Sequence, residues 1–162
     1  MTNLSTIKKT VAALGLAAAL FAAPAAQAQN FRGGGAMHSF SGCEEQGWSN
    51  TQFVRARMRL ASDNNAEHSI SLFLPSGGTV SVNFSYNFRP SNRFRRSTGY
   101  AVWEALGRWQ PNPQTRLRLV EVIAPDGASL ANATDLRLQF QIKNFNWMRG
   151  CRVTVDLAVA RT

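Results

Sequence analysis

Beyond residue 50 apolar and polar positions alternate with a period of two, and the alternation divides the chain into strands with one buried and one wet face. Val54, Ala56, Met58 and Leu60 oppose Phe53, Arg55, Arg57 and Arg59. His68 to Leu74 places Ile70, Leu72 and Leu74 on one side. Thr79 to Phe88 sets Val80, Val82, Phe84, Tyr86 and Phe88 against Thr79, Ser81, Asn83, Ser85 and Asn87. Pro75-Ser76-Gly77-Gly78 lies between these two segments, and its glycines supply the positive φ angles of a tight hairpin. The same period recurs over Thr115–Ile123, over Leu136–Lys143 and over Cys151–Val159.

Segments of this length, separated by turn residues such as Pro125-Asp126-Gly127, predict an all-β fold. The expectation is a single antiparallel β-sandwich of about 6–8 strands, Ig-like or jelly-roll-like. No segment is solidly apolar, so the outer faces are solvated. Thr98 to Trp109 departs from the pattern: Tyr100, Trp103, Leu106 and Trp109 recur every third residue. A short helix over 98–109, ended by Gln110-Pro111-Asn112-Pro113, is the expectation there. A seventh strand is the alternative, since Gly99 and Gly107 both weaken a helix.

The beginning of the chain reads differently. Lys8 and Lys9 precede an apolar run from Val11 to Ala23, and Ala26-Gln27-Ala28 has the small-x-small form that signal peptidase accepts. Thirteen apolar residues make about 20 Å of helix, too short for a ~30 Å hydrocarbon core. Residues 1–28 are therefore expected to be a signal peptide cleaved after Ala28, which places the protein in the periplasm or the medium. Residues 29–47, rich in Gly and Ser, are expected to be an irregular N-terminal arm, and 48–162 the β-sandwich domain.

Charge and cysteine content narrow the function. The chain carries 18 Lys+Arg against 9 Asp+Glu. Fifteen of the 18 basic residues are Arg, a bias that genome composition explains as well as selection does. Cys43 and Cys151 are the only cysteines, and in an exported chain they are expected to form one structural disulfide. Neither sits in a CxxC context of the kind redox catalysis uses. Enzyme signatures are absent: there is no G-x-S-x-G, no phosphate-cradling loop and no H-E-x-x-H. The only histidines are His38 and His68, read as solvated surface residues, and the nine carboxylates are scattered. No catalytic residue, metal site or cofactor is expected.

The arginines form the better constellations. Arg55, Arg57 and Arg59 project from one strand face as a ladder about 14 Å long. Arg116 and Arg118 do the same on a later strand, and Arg137 and Lys143 on another, so strands sharing one sheet would merge them into a cationic plane. The connection Asn87 to Gly99 holds Arg89, Arg93, Arg95 and Arg96 around Phe88 and Phe94, with Tyr100 just beyond. Arginine suits bidentate capture of phosphate or carboxylate, and adjacent rings add stacking or apolar contact. Solvated, edge-protecting arginines are the plainer explanation. The four tryptophans are read chiefly as packing, with sugar stacking the sharper alternative for a pair of them.

The sequence is thus expected to encode a non-enzymatic module that binds anionic envelope material. Lipopolysaccharide, acidic polysaccharide, anionic lipid head groups and extracellular nucleic acid all fit. The alternative is a structural subunit of an envelope or fimbria-like assembly, joined to another envelope protein by pairing of the Cys151–Ala160 strand.

Overall fold

The computed structural model describes residues 28–61, 67–84, 88–97, 99–103 and 108–162, with only the backbone course for 99–103 and 108–112. The leader expected over 1–28 lies, except for Ala28, outside the described residues. The described residues form ten strands: β1 (Gln29–Ser41), β2 (Gln52–Leu60), β3 (His68–Phe73), β4 (Gly78–Phe84), β5 (Arg95–Arg96), β6 (Gly99–Trp103), β7 (Arg108–Asn112), β8 (Arg116–Ile123), β9 (Asp135–Lys143) and β10 (Arg152–Arg161). They make one antiparallel sheet in the order β5-β8-β9-β10-β1-β2-β3-β4-β6-β7. Among the described residues no helix is long and apolar enough to cross a membrane.

This architecture corrects the expected sandwich. A single sheet curls on itself as a half-barrel, and one concave face encloses the core. The inward positions of β2, β3, β4, β8, β9 and β10 are the alternating apolar residues, Val54 to Leu60 and Leu136 to Ile142 among them. Phe84 on β4 meets Phe140 on β9 edge to face, with ring centroids 5.4 Å apart. In the strand order β4 and β9 lie far apart, so this contact records the curl. The connection from β4 to β8 crosses the same gap: Ser97 Oγ accepts the Asn83 amide at 3.1 Å, and the Ser97 amide donates to Thr115 O.

Two local expectations are also overturned. Gln29–Ser41, read as an irregular arm, is the longest strand and lies in the middle of the sheet between β10 and β2. Its inward positions are Phe31 and Met37, both buried, with Gly33 and Gly35 between them. Those glycines are there for close approach: a Cβ on Gly35 would lie 1.8 Å from Asp156 O, and one on Gly33 2.0 Å from Ala158 O. The helix expected over 98–109 is replaced by the antiparallel pair β6 and β7. Residues 104–107 between them lie outside the described residues. As the last strand of the sheet, β7 tolerates Pro111, whose missing N–H leaves no second ladder bond unmade.

Placing β1 in the sheet has a further consequence for β10. The C-terminal strand, expected to add to another protein's sheet, is paired along both edges, to β9 and to β1. The β3–β4 hairpin forms as expected, with Gly77 at φ 87° and the Leu74 amide donating to Gly78 O. The disulfide also forms, linking Cys43 and Cys151 across 108 residues with Cα atoms 4.8 Å apart, and both cysteines are buried. His68 is buried and not solvated: its Nδ1 accepts the Ala61 amide at 3.1 Å and its ring lies 5.4 Å from Phe88.

Candidate anion-binding surface

The convex outer face of the sheet carries the polar half of every alternating strand, and register decides which charges become neighbours. Arg116 on β8 pairs with Lys143 on β9, which pairs with Arg152 on β10. On the other side of Arg116 lies Arg96, paired with it through the short strand β5. One end of the outer face thus brings the cations of β5, β8, β9 and β10 into a single row, with Arg118 two residues further along β8.

Phe94 sits at the centre of this group. The Arg118 guanidinium carbon lies 5.4 Å from its ring centroid and that of Arg152 lies 6.0 Å away. Both are within range of a cation–π attraction. Arg118 also donates from Nη2 to Gln141 Oε1 at 2.9 Å, whereas its buried Nε–H has no hydrogen-bond acceptor. Arg116 donates from Nη1 to the carbonyls of Pro113 and Thr115. No carboxylate comes within ion-pair distance of these groups among the described residues, where the one ion pair is that of His38 with Asp156. The cluster is fixed by backbone carbonyls, an amide and a ring, all of which leave its charge uncompensated.

Of the positions singled out in the sequence, Phe94 and Arg96 join this cluster; Arg95 is exposed too, but it pairs with the inward Leu117 and so takes the other side of β5. Arg89 and Arg93 are exposed on the crossing segment before it. That segment is anchored by Phe88, buried against Phe84, and by the Ser91 amide donating to Leu119 O. Tyr100 lies on β6, where it pairs with Ser81, and its side chain is outside the described residues. Arg55, Arg57 and Arg59 are all exposed on β2, with Arg57 directly opposite Arg32 and its guanidinium 5.4 Å from the Phe73 ring centroid.

The expected merging of these arginines into one plane does not occur. The strands share a sheet, but five inter-strand steps separate β5 from β2, about 24 Å along the curve at ~4.8 Å per step. The two groups also sit at different levels along the strands, since Arg152 pairs with Ser41 at the end of β1 while Arg55 and Arg57 pair with Gly34 and Arg32 in its middle and first half. Between them runs an acidic row, with Asp156 paired to Gln139 and Gln139 to Glu121.

Asp156 is the centre of a network that the sequence did not reveal. Its Oδ2 lies 2.8 Å from His38 Nε2, and its Oδ1 accepts from Gln139 Nε2 at 3.0 Å. His38 Nδ1 lies 2.9 Å from Ser39 Oγ. A carboxylate only accepts, so His38 Nε2 donates to Asp156. Hydroxyl, imidazole and carboxylate stand in the order of a nucleophilic relay. Here the network spans a bulge in the β1–β10 pairing between His38 and Ser41, where Ser39 has φ 52°. Arg152 and Arg32 were missed as members of the two cationic groups, although each occupies an outward position of its alternating strand; only register assigns them neighbours.

Comparisons with protein-family models, with curated proteins and with solved structures find no match to this chain.

Proposed function

We propose that the protein is an exported, non-enzymatic binding module for anionic envelope material, and that the row of Arg96, Arg116, Lys143 and Arg152 beside Phe94 is its contact surface. The observation that carries this reading is the row of Arg96, Arg116, Lys143 and Arg152 paired across four strands, beside a ring that Arg118 and Arg152 both face, with no carboxylate within ion-pair distance among the described residues. Like charges held this close repel one another, and a polyanion would relieve the repulsion while releasing its own counterions. The buried disulfide supports an oxidising compartment, periplasmic or extracellular. Anionic polymers and lipid head groups are the partners that fit, and the chemistry calls for no cofactor.

The test is retention of the oxidised protein on heparin, lipopolysaccharide and DNA supports over a salt gradient, beside an R96S/R152S variant. Arg118 is left intact because its half-buried side chain belongs to the packing beneath Phe94. Wild-type retention well above ~0.15 M salt with early elution of the variant supports the reading. Co-elution of the two proteins at low salt refutes it.

A further inference from the structure

We infer that the loop joining β9 to β10 presents Trp147 as a stacking platform for a pyranose ring, so that the neighbouring cationic cluster takes an acidic glycan. This rests on the reading of that cluster as an anion site and names the ligand class it serves.

The backbone of the loop is unusual. Asn144, Asn146 and Trp147 have φ of 58°, 47° and 67°. Asparagine tolerates the left-handed region, but a bulky aromatic residue there is strained, and such strain persists only where the surroundings over-determine it. Here they do. The Asn144 amide donates to Cys151 O at 2.7 Å, the Gly150 amide to Asn144 Oδ1 at 3.0 Å, and Asn144 Nδ2 to Gln114 O at 2.9 Å. Phe145 is buried, with its ring 5.1 Å from Trp48 and 6.2 Å from Phe40, and Cys151 is locked to Cys43. The packing of the loop comes from Phe145. Trp147, two residues on, is 46 % exposed and strained, and folding gains little from it.

Its location gives the indole a use. The loop leaves β9 at Lys143 and enters β10 at Arg152, two members of the cationic row that pair with each other, and it carries the exposed Arg149 itself. An indole face beside guanidinium groups suits a sugar whose C–H face stacks on the ring while its carboxylate or sulfate meets an arginine. Sequence-tolerant binding of single-stranded nucleic acid uses successive stacking platforms. The other ring in this cluster, Phe94, already faces two guanidinium groups. A lipid surface would favour several protruding apolar side chains side by side, but the exposed Phe53 lies two strands away on β2, level with Asp156 of β10 and not with Arg152.

The experiment measures affinity for a heparin hexasaccharide, for inorganic polyphosphate and for oligo-dT, using wild type, Trp147→Ala and Trp147→Phe. Polyphosphate offers the charge without a ring. Trp147→Ala is expected to weaken hexasaccharide binding about tenfold and to leave polyphosphate binding within about twofold, with Trp147→Phe recovering most of the loss. Unfolding midpoints of the variants confirm that the fold is intact. Equal losses for both probes, or no loss for either, overturn the inference while leaving the anion site standing. Tighter and equally Trp147-dependent binding of oligo-dT overturns the glycan assignment. Failure of the wild type to bind any of the three removes the anion site itself.

Discussion

Replacing Gly35 by alanine tests the architecture at its centre. The added Cβ would meet Asp156 O at 1.8 Å and Leu157 Cα at 2.9 Å, both backbone atoms of β10 that no rotamer change can move. An ordinary carbon–oxygen contact is about 3.3 Å, so β1 and β10 would have to part by more than an ångström at the middle of their ladder. Two inter-strand hydrogen bonds at about 1 kcal/mol each would be stretched beyond use, and the lost packing beneath them adds a similar amount. Alanine gains about 0.5 kcal/mol over glycine in extended backbone, which leaves a net loss of about 3.5 kcal/mol. Gly33→Ala, with Ala158 O at 2.0 Å, belongs to the same class. Gly34→Ala meets one backbone atom at 2.8 Å and is expected to lose about 1 kcal/mol. Gly127, open on all sides at φ 70°, should lose a similar amount for conformational reasons alone. Urea unfolding would measure the series: at a slope of about 2 kcal/mol/M, Gly35→Ala moves the midpoint by roughly 1.75 M. A Gly35→Ala midpoint within ~0.25 M of wild type, or one above that of Gly34→Ala, would refute the placement of β1 between β10 and β2.

Two further expectations concern the stapled end of the sheet and a surface turn. Reducing the Cys43–Cys151 bridge releases a closure of 108 residues, for which chain entropy gives about 4–5 kcal/mol, and denaturant unfolding with and without reductant measures the difference. A loss below ~1 kcal/mol would contradict that account and mean that the reduced, unfolded chain keeps its two ends close through residual structure. Asp126 has its pKa lowered from 3.8, first by the Ala128 amide and then by that of Thr134. A folded pKa below the unfolded one contributes stability that is present above the unfolded value and is lost as pH falls through the folded one. An NMR titration of the Asp126 carboxyl should therefore find its midpoint below 3.8, and a midpoint at or above that value contradicts the turn geometry.

Much of the candidate site was legible one strand at a time. Alternation assigned Arg55, Arg57, Arg59, Arg116 and Arg118 to outward faces, because a period of two fixes which side of a pleated strand a residue occupies. It could not say which outward residues meet, since neighbours across a sheet are set by register and strand order. Lys143 and Arg152 became partners of Arg116 only through those pairings. The left-handed backbone at Trp147 had no sequence signal either, for left-handed φ is expected of glycine and asparagine and not of tryptophan.

The largest misreading, sandwich for curled sheet, follows from a single strand. Glycine has no side chain, so Gly33-Gly34-Gly35 erased the alternation in the middle of β1, although Phe31 and Met37 hold the period of two at its ends. With that strand dismissed as an arm, nothing links β10 to β2. What is left falls into two blocks, β2-β3-β4 and β8-β9-β10, which is the description of two facing sheets. Restoring β1 joins the blocks through eighteen paired positions in two ladders and turns two sheets into one. The glycines that hid the strand also permit it, because only a backbone without Cβ can lie this close to Asp156 and Ala158 of β10. The join also decides the function to be tested. By occupying the second edge of β10 it removes the free strand on which assembly by strand pairing was argued. It also leaves the cations of β8, β9 and β10 facing solvent on the outside of a continuous curved sheet.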